Sequence, residues 1–198
     1  MIRWGILGAG NIAHRFAKSL TMNEDCQLWA ISCRKEEKGR AFNQEYPSRK
    51  QYYGENCYME MLEDPDIDVV YICVPHGLHH YWSKEALKKG KAVLCEKPAM
   101  VTAQEMQDII DTTKANDTLF VEAMKSRFLP AYRKVREMVA RGEIGEITKI
   151  ETDQCRPGTS TGAGASAGTS ASTGAGASEK SIKPSSSPSC NSTSANFS

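Results

Sequence analysis

Residues 2–20 read IRWGILGAGNIAHRFAKSL, and this stretch decides the fold. Ile2–Leu7 is a short apolar run that ends at a glycine, after which Ala13, Phe16, Ala17 and Leu20 recur at the i, i+3, i+4, i+7 spacing of one helix face. The pattern is strand, tight turn, helix. Between strand and helix, Gly8-Ala9-Gly10-Asn11-Ile12-Ala13 fits G-x-G-x-x-A. In that pattern Gly8 permits the turn, Gly10 lets the backbone approach a pyrophosphate, and small Ala13 lets the helix pack close to the sheet. The amides of Asn11 and Ile12 would face the phosphates from the positive end of the helix.

Downstream the alternation repeats. Leu28–Ser32 reads as a second strand, and Lys35–Tyr46 as a polar helix closed by Pro47. Asn56 is placed to cap a short helix carrying Tyr58, Met61 and Leu62, which stops at Asp64-Pro65. Val69–Val74 is almost wholly apolar, as a central parallel strand covered on both faces should be, and Pro75 ends it. A helix over Trp82–Lys89 and a strand over Ala92–Cys95 follow. Thr102 and Glu105 then fit a capping box, with Met106, Ile109 and Ile110 as the buried stripe of the next helix. Leu119–Val121 is a further strand, and Pro130 opens a helix with Tyr132, Val135, Met138 and Val139 inward.

Strands alternating with helices at this pace imply βαβ units and right-handed crossovers. The expected fold class is α/β, with a doubly wound parallel sheet over residues 1–122. Residues 123–155 read as only the start of a second domain, its first helix and a strand at Ile147–Asp153 with one wet face. That strand lacks an evident partner, and its open edge is a candidate for self-association. From Gly158 to Ser178 the chain holds only Gly, Ala, Ser and Thr, and STGAGAS occurs at 160–166 and again at 172–178. Residues 156–198 therefore read as a disordered low-complexity tail.

Composition narrows the partners. A net charge of +1, with basic and acidic residues interspersed, gives no reason to expect nucleic acid or an anionic membrane. No apolar run has the length of a membrane span and the N-terminus lacks a signal-peptide layout, so a cytoplasmic protein is expected. Seven cysteines without a CxxC pair read as reduced, structural thiols rather than a zinc site.

Candidate site residues fall at the ends of the strands. After the second strand the chain reads Cys33-Arg34-Lys35, then Lys38, with no acid before Glu36 to bind ribose hydroxyls. Arg34 suits a 2′-phosphate, which favours NADP over NAD. Pro75-His76-Gly77-Leu78-His79 occupies the edge after the central strand, where His76 could line the cofactor cleft and His79 is either a further cofactor contact or a residue that caps or packs the next helix. Glu96-Lys97-Pro98 follows the strand at 92–95, where open α/β sheets bind ligand. Lys97 is placed there to bond a substrate hydroxyl or relay its proton, Glu96 to orient it, and Pro98 to fix the turn.

The stretches GILGAGNIAHRFAKSL, PDIDVVYICVPHGLHH and GKAVLCEKP together resemble the Gfo/Idh/MocA oxidoreductases. Glu122-Ala-Met-Lys-Ser-Arg-Phe-Leu-Pro130 and the later Gly-Glu-Ile-Gly-Glu-Ile resemble the dihydrodiol dehydrogenase-like branch. The resemblance runs from residue 1 to about 153. It implies an NAD(P)-dependent enzyme that oxidises a carbinol of a sugar, polyol or dihydrodiol, or runs the reverse reduction, with Lys97 on the family's catalytic lysine. Arg127 is a site-lining candidate, with a salt bridge to Glu122 as its alternative role. The family continues into a second α/β domain that supplies a catalytic histidine, whereas no histidine follows His80 here. Impaired turnover in this form is therefore expected. The alternatives are a non-catalytic NAD(P)-binding module and a truncation product of a full-length enzyme.

Overall fold

Ile2–Leu7 forms strand β1, and the chain turns at Gly8 into helix α1 over Asn11–Leu20. The unit recurs as β2 (Cys26–Cys33) with α2 (Glu36–Glu45), β3 (Lys50–Tyr53) with α3 (Cys57–Glu63), and β4 (Val69–Ile72) with α4 (His79–Lys88). Then come β5 (Ala92–Cys95), α5 (Ala103–Ala115), β6 (Phe120–Glu122) and α6 (Pro130–Ala140). The computed structural model describes residues 1–155 and 190–196. The chain divides into two compact units, Met1–Tyr132 and Arg133–Ser198.

In the first unit the six strands form one sheet in the order β3-β2-β1-β4-β5-β6, and every neighbouring pair is parallel. The direction of winding reverses between β1 and β4. Such a reversal leaves a crevice at the carboxyl ends of the two strands, because the loops that follow them leave toward opposite faces. The expected doubly wound α/β fold is what the chain forms.

Alternation along the strands divides the core between the two faces. Ile6, Ile31 and Tyr71 pack with Ala13, Ala17 and Leu20 of α1 and Phe42 of α2. Leu7, Val70 and Ile72 point the other way, onto Met61 and Leu62 of α3, Leu87 of α4 and Ile109 of α5. Each such aliphatic side chain contributes roughly 1.5–3 kcal/mol on burial, so a strand covered on both faces needs the near-continuous apolar run that β4 has. The helix α5 starts with the expected capping box, Thr102 accepting from the Glu105 amide at 3.1 Å while the Glu105 carboxylate accepts from the Thr102 amide at 3.2 Å.

Several expectations change. Strand β3 carries Lys50 and Gln51 and lies at the sheet edge, where polar side chains are favoured and apolar alternation is weak. Helix α4 begins at His79 rather than Trp82, because His79 and Ser83 are buried as part of its inner face. The apolar stripe of α6 is not inward. Tyr132 and Val135 are exposed and the helix buries none of its residues, since periodicity marks an apolar stripe without supplying its cover.

In the second unit the strand read as partnerless is β7 (Lys149–Cys155), and it pairs antiparallel with β8 (Cys190–Asn196). One of its edges is thus taken. The serine- and threonine-rich β8 lies within the stretch read as a disordered tail and has no apolar alternation to announce it. Residues 156–189 and 197–198 of that stretch lie outside the described residues.

Candidate functional site

The glycine turn, the Arg34 corner, the two histidines and the EKP turn all lie at the carboxyl edge of the sheet. Gly8 has φ +107°, a left-handed conformation, and a Cβ there would stand 3.1 Å from the Cys73 carbonyl oxygen. Its amide donates to the Ser32 carbonyl at 3.0 Å, so the loop after β1 is tied to both neighbouring strands. Gly10 is the N-cap of α1, and a Cβ built on it would meet nothing within 4 Å. The open space lies where a bound group would need it. The first turn of α1 carries no acidic residue and no side-chain cap, which leaves the amides of Asn11 and Ile12 for an anion. Ala13 is fully buried, as close packing of helix on sheet requires. These residues fit a dinucleotide pyrophosphate.

Arg34 and Lys38 are exposed beside the buried Cys33. The first acid after this strand, Glu36, is engaged by Arg40 at 2.6 Å. Burial raises the Tyr58 phenol above the ordinary range.

Pro75 and His76 are exposed at the mouth of the crevice, His76 on a 3-10 turn over 76–78 with its ring edge-on to His79 at 5.3 Å. His79 itself is fully buried. Its Nδ1 lies 2.9 Å from the Pro98 carbonyl and its Nε2 lies 2.8 Å from the Val74 carbonyl. The ring therefore bridges the exit of β4 to the EKP turn and packs under the site rather than facing it.

Lys97 is exposed on that turn, and the Lys97–Pro98 peptide is cis. The turn is held from three directions. His79 reaches Pro98, the Glu122 carboxylate accepts from the Ala99 amide at 2.9 Å, and the Tyr71 hydroxyl donates to Glu96 Oε1 at 2.6 Å. Lys97 N–H donates to the other carboxylate oxygen, Glu96 Oε2, at 3.1 Å. Arg127 is exposed on a 3-10 turn over 125–128. Glu122 bonds the Ala99 amide and forms no salt bridge with Arg127 among the described residues.

The sequence does not mark Tyr71 or Glu122 as supports of this turn. A signal existed for Tyr71, since a tyrosine in an otherwise aliphatic central strand must find a partner for its hydroxyl. Glu122 gave none, because its partner is a backbone amide 23 residues away.

The cysteines Cys26, Cys33, Cys57, Cys73 and Cys95 are free thiols. Burial pushes Cys57 up to about 11 and Cys95 up to about 12, and raises Cys73 beyond the ordinary range. Such groups stay protonated and unreactive. Among the described residues no group of three or more His, Cys, Asp or Glu could hold a metal ion, and no helix is long and apolar enough to cross a membrane. A hollow of about 430 Å³ beside Leu20, Thr21, Pro47 and Arg49 borders Cys26 at the amino end of β2, remote from these loops.

Known proteins share this fold. The family model described as "Oxidoreductase family, NAD-binding Rossmann fold", for Gfo/Idh/MocA proteins, matches residues 2–123. The chain is 35% identical over 153 residues to trans-1,2-dihydrobenzene-1,2-diol dehydrogenase of Xenopus tropicalis, covering 76% of this chain and 46% of that one. It is 32% identical over 161 residues to D-xylose 1-dehydrogenase (NADP(+)) of Hypocrea jecorina, covering 77% and 41%. Among solved structures, a putative myo-inositol dehydrogenase from Sinorhizobium meliloti superposes with TM-score 0.70 at 26% identity, covering 79% of this chain and 47% of that one. KijD10, a 3-ketoreductase from Actinomadura kijaniata in complex with NADP and TDP-benzene, gives 0.67 at 29%, covering 74% and 44%. The chain spans less than half the length of these relatives.

Proposed function

The chain belongs to the Gfo/Idh/MocA oxidoreductase family, and from that premise we propose that it binds NADP in preference to NAD and serves hydride transfer to or from a sugar, polyol or dihydrodiol. Residues 1–122 act as the dinucleotide domain, and 123–155 begin the part that contacts substrate. The protein works in the cytoplasm on small molecules, without nucleic acid or membrane. The observation that carries the reading is the convergence of an open glycine turn at Gly10 with a lysine held on a pinned turn at the same sheet edge.

The dinucleotide, when bound, supplies the hydride acceptor or donor. Asn11 and Ile12 amides hold its phosphates, Gly10 gives the clearance, and Arg34, with Lys38 nearby, holds a 2′-phosphate. Cys33 floors the adenosine corner, while Pro75 and His76 line the opposite wall. Lys97 would bond the substrate oxygen, taking up the hydroxyl proton as hydride leaves and the carbonyl forms, and returning a proton to that oxygen in the reduction. Arg127 lines the substrate side.

The test is titration of the full chain with NADPH and NADH, repeated with Arg34→Glu. NADPH affinity should fall about tenfold or more, the scale of a lost charge-assisted hydrogen bond, while NADH affinity holds. Unchanged NADPH affinity overturns the preference for NADP. Lys97→Ala should retain dinucleotide binding and abolish whatever turnover the parent chain shows with polyols or dihydrodiols. Turnover equal to the parent would remove Lys97 from the chemistry.

A further inference from the structure

Tyr71 is the middle of a chain of contacts that runs from helix α1 to the EKP turn. Its ring is 2% exposed and stacks on Phe16 of α1 with centroids 4.0 Å apart. Its hydroxyl donates to Glu96 Oε1 at 2.6 Å, and the Lys97 amide donates to Glu96 Oε2 at 3.1 Å. Each carboxylate oxygen thus has its own donor. Burial, and then the bond to Glu96, raises the Tyr71 phenol well above its ordinary range, so it remains a donor at any working pH.

The place of Glu96 in the sheet gives this pinning a meaning. With the pyrophosphate at the loop after β1 and the adenosine on the β2 side near Arg34, the nicotinamide half of a dinucleotide must lie over the exits of β4 and β5. Glu96 is the first residue after β5 and is half-buried there. The oxidised nicotinamide ring carries a positive charge that the reduced ring lacks, while the two forms share the rest of the molecule. A carboxylate fixed near that ring attracts one form and is indifferent to the other. Lys97 beside it acts in the opposite sense. A Glu96 that swings away leaves the ammonium uncompensated.

Resting on the proposed dinucleotide site, we propose that Tyr71 is a positioning residue: by holding Glu96 in one orientation it sets the site's preference for the oxidised over the reduced dinucleotide. Tyr71→Phe removes only the hydroxyl and keeps the ring on Phe16.

The experiment measures dissociation constants of the full chain for NADP+, NADPH and ADP-ribose 2′-phosphate, which lacks nicotinamide. Should the parent prefer the unphosphorylated series, NAD+, NADH and ADP-ribose take their place. Tyr71→Phe should weaken the oxidised form about threefold to tenfold, a scale fitting a partly exposed charge, and leave the other two within twofold. Glu96→Gln should do the same or more, and the double variant should match Glu96→Gln alone, because Tyr71 acts through Glu96. Glu96→Gln supplies the same readout should Tyr71→Phe not fold. Equal weakening of all three ligands, or an unchanged ratio of oxidised to reduced affinity, overturns the role of Tyr71. Failure of the parent chain to bind any of them overturns the dinucleotide reading itself.

Discussion

One methyl group should separate the two glycines of the turn. Gly8 needs its left-handed φ of +107° and has the Cys73 carbonyl where a Cβ would go, so Gly8→Ala should cost about 1–3 kcal/mol in urea unfolding, and dinucleotide binding with it. Gly10 has an ordinary φ of −85° and open space, so Gly10→Ala should leave the unfolding midpoint nearly unchanged. Its dinucleotide affinity should nevertheless fall about tenfold or more, because the methyl occupies the approach of the pyrophosphate. A Gly10→Ala protein that binds as well as the parent would mean the open space is incidental. At this scale the sequence was informative where a residue type is scarce: two glycines at fixed spacing, a lysine after a buried strand. It offered Arg127 as a partner for Glu122, whereas the role of that carboxylate depends on which backbone amide the fold brings to it. It also left His79 undecided between lining the cleft and packing the helix, and only the two carbonyls at Val74 and Pro98 identify it as a bridge.

Elements are joined at their amino ends by charge. Arg3 of β1 meets Asp68, just before β4, through its amide at 2.8 Å and through Nη2 at 2.9 Å, so the two strands of the crevice are also clasped at the opposite edge. Hydrogen bonding from Arg3 holds the Asp68 carboxyl below its ordinary 3.8. A lowered folded-state pKa stabilises above the unfolded value and is lost as pH falls through the folded one. The clasp should therefore be complete above about pH 4 and fade below it. Asp68→Asn should cost about 0.2–1 kcal/mol at neutral pH, as partly exposed pairs do, and flatten the decline in urea midpoint between pH 5 and 2. An acid limb as steep as the parent's would place the titration elsewhere. Thr102→Ala should cost about 1 kcal/mol by removing the cap of α5. Elements with strong internal logic, such as α1, β4 and α5, were legible in advance. The edge strand β3 was not, since Lys50 and Gln51 look like loop, and Lys50 is held by Asp64 at 2.9 Å rather than by any local pattern.

For the whole molecule, a ligand that binds only the folded state adds stability by mass action, about 2.7 kcal/mol at one hundred times its dissociation constant. For a domain of this size that amounts to roughly 5–10 °C in Tm. NADPH should raise the melting temperature of the chain by that order, and Gly10→Ala, at the same ligand concentration, should cut the shift to about half or less. A parent chain whose melting ignores both NADPH and NADH would contradict the site. The order of the sheet also bears on how the protein is made. β1, the first strand of the sheet in chain order, sits in its interior between β2 and β4. On the ribosome β1 and β2 emerge before β4, the strand that must cover the other edge of β1, which ends at Ile72, roughly 65 residues after Leu7. At about 5–20 residues per second this leaves that edge bare for roughly 3–13 s. For that interval the nascent chain offers the unpaired backbone edge of Ile6 and Leu7 to whatever binds emerging strands, so its yield in the cell should depend on translation speed and chaperone supply.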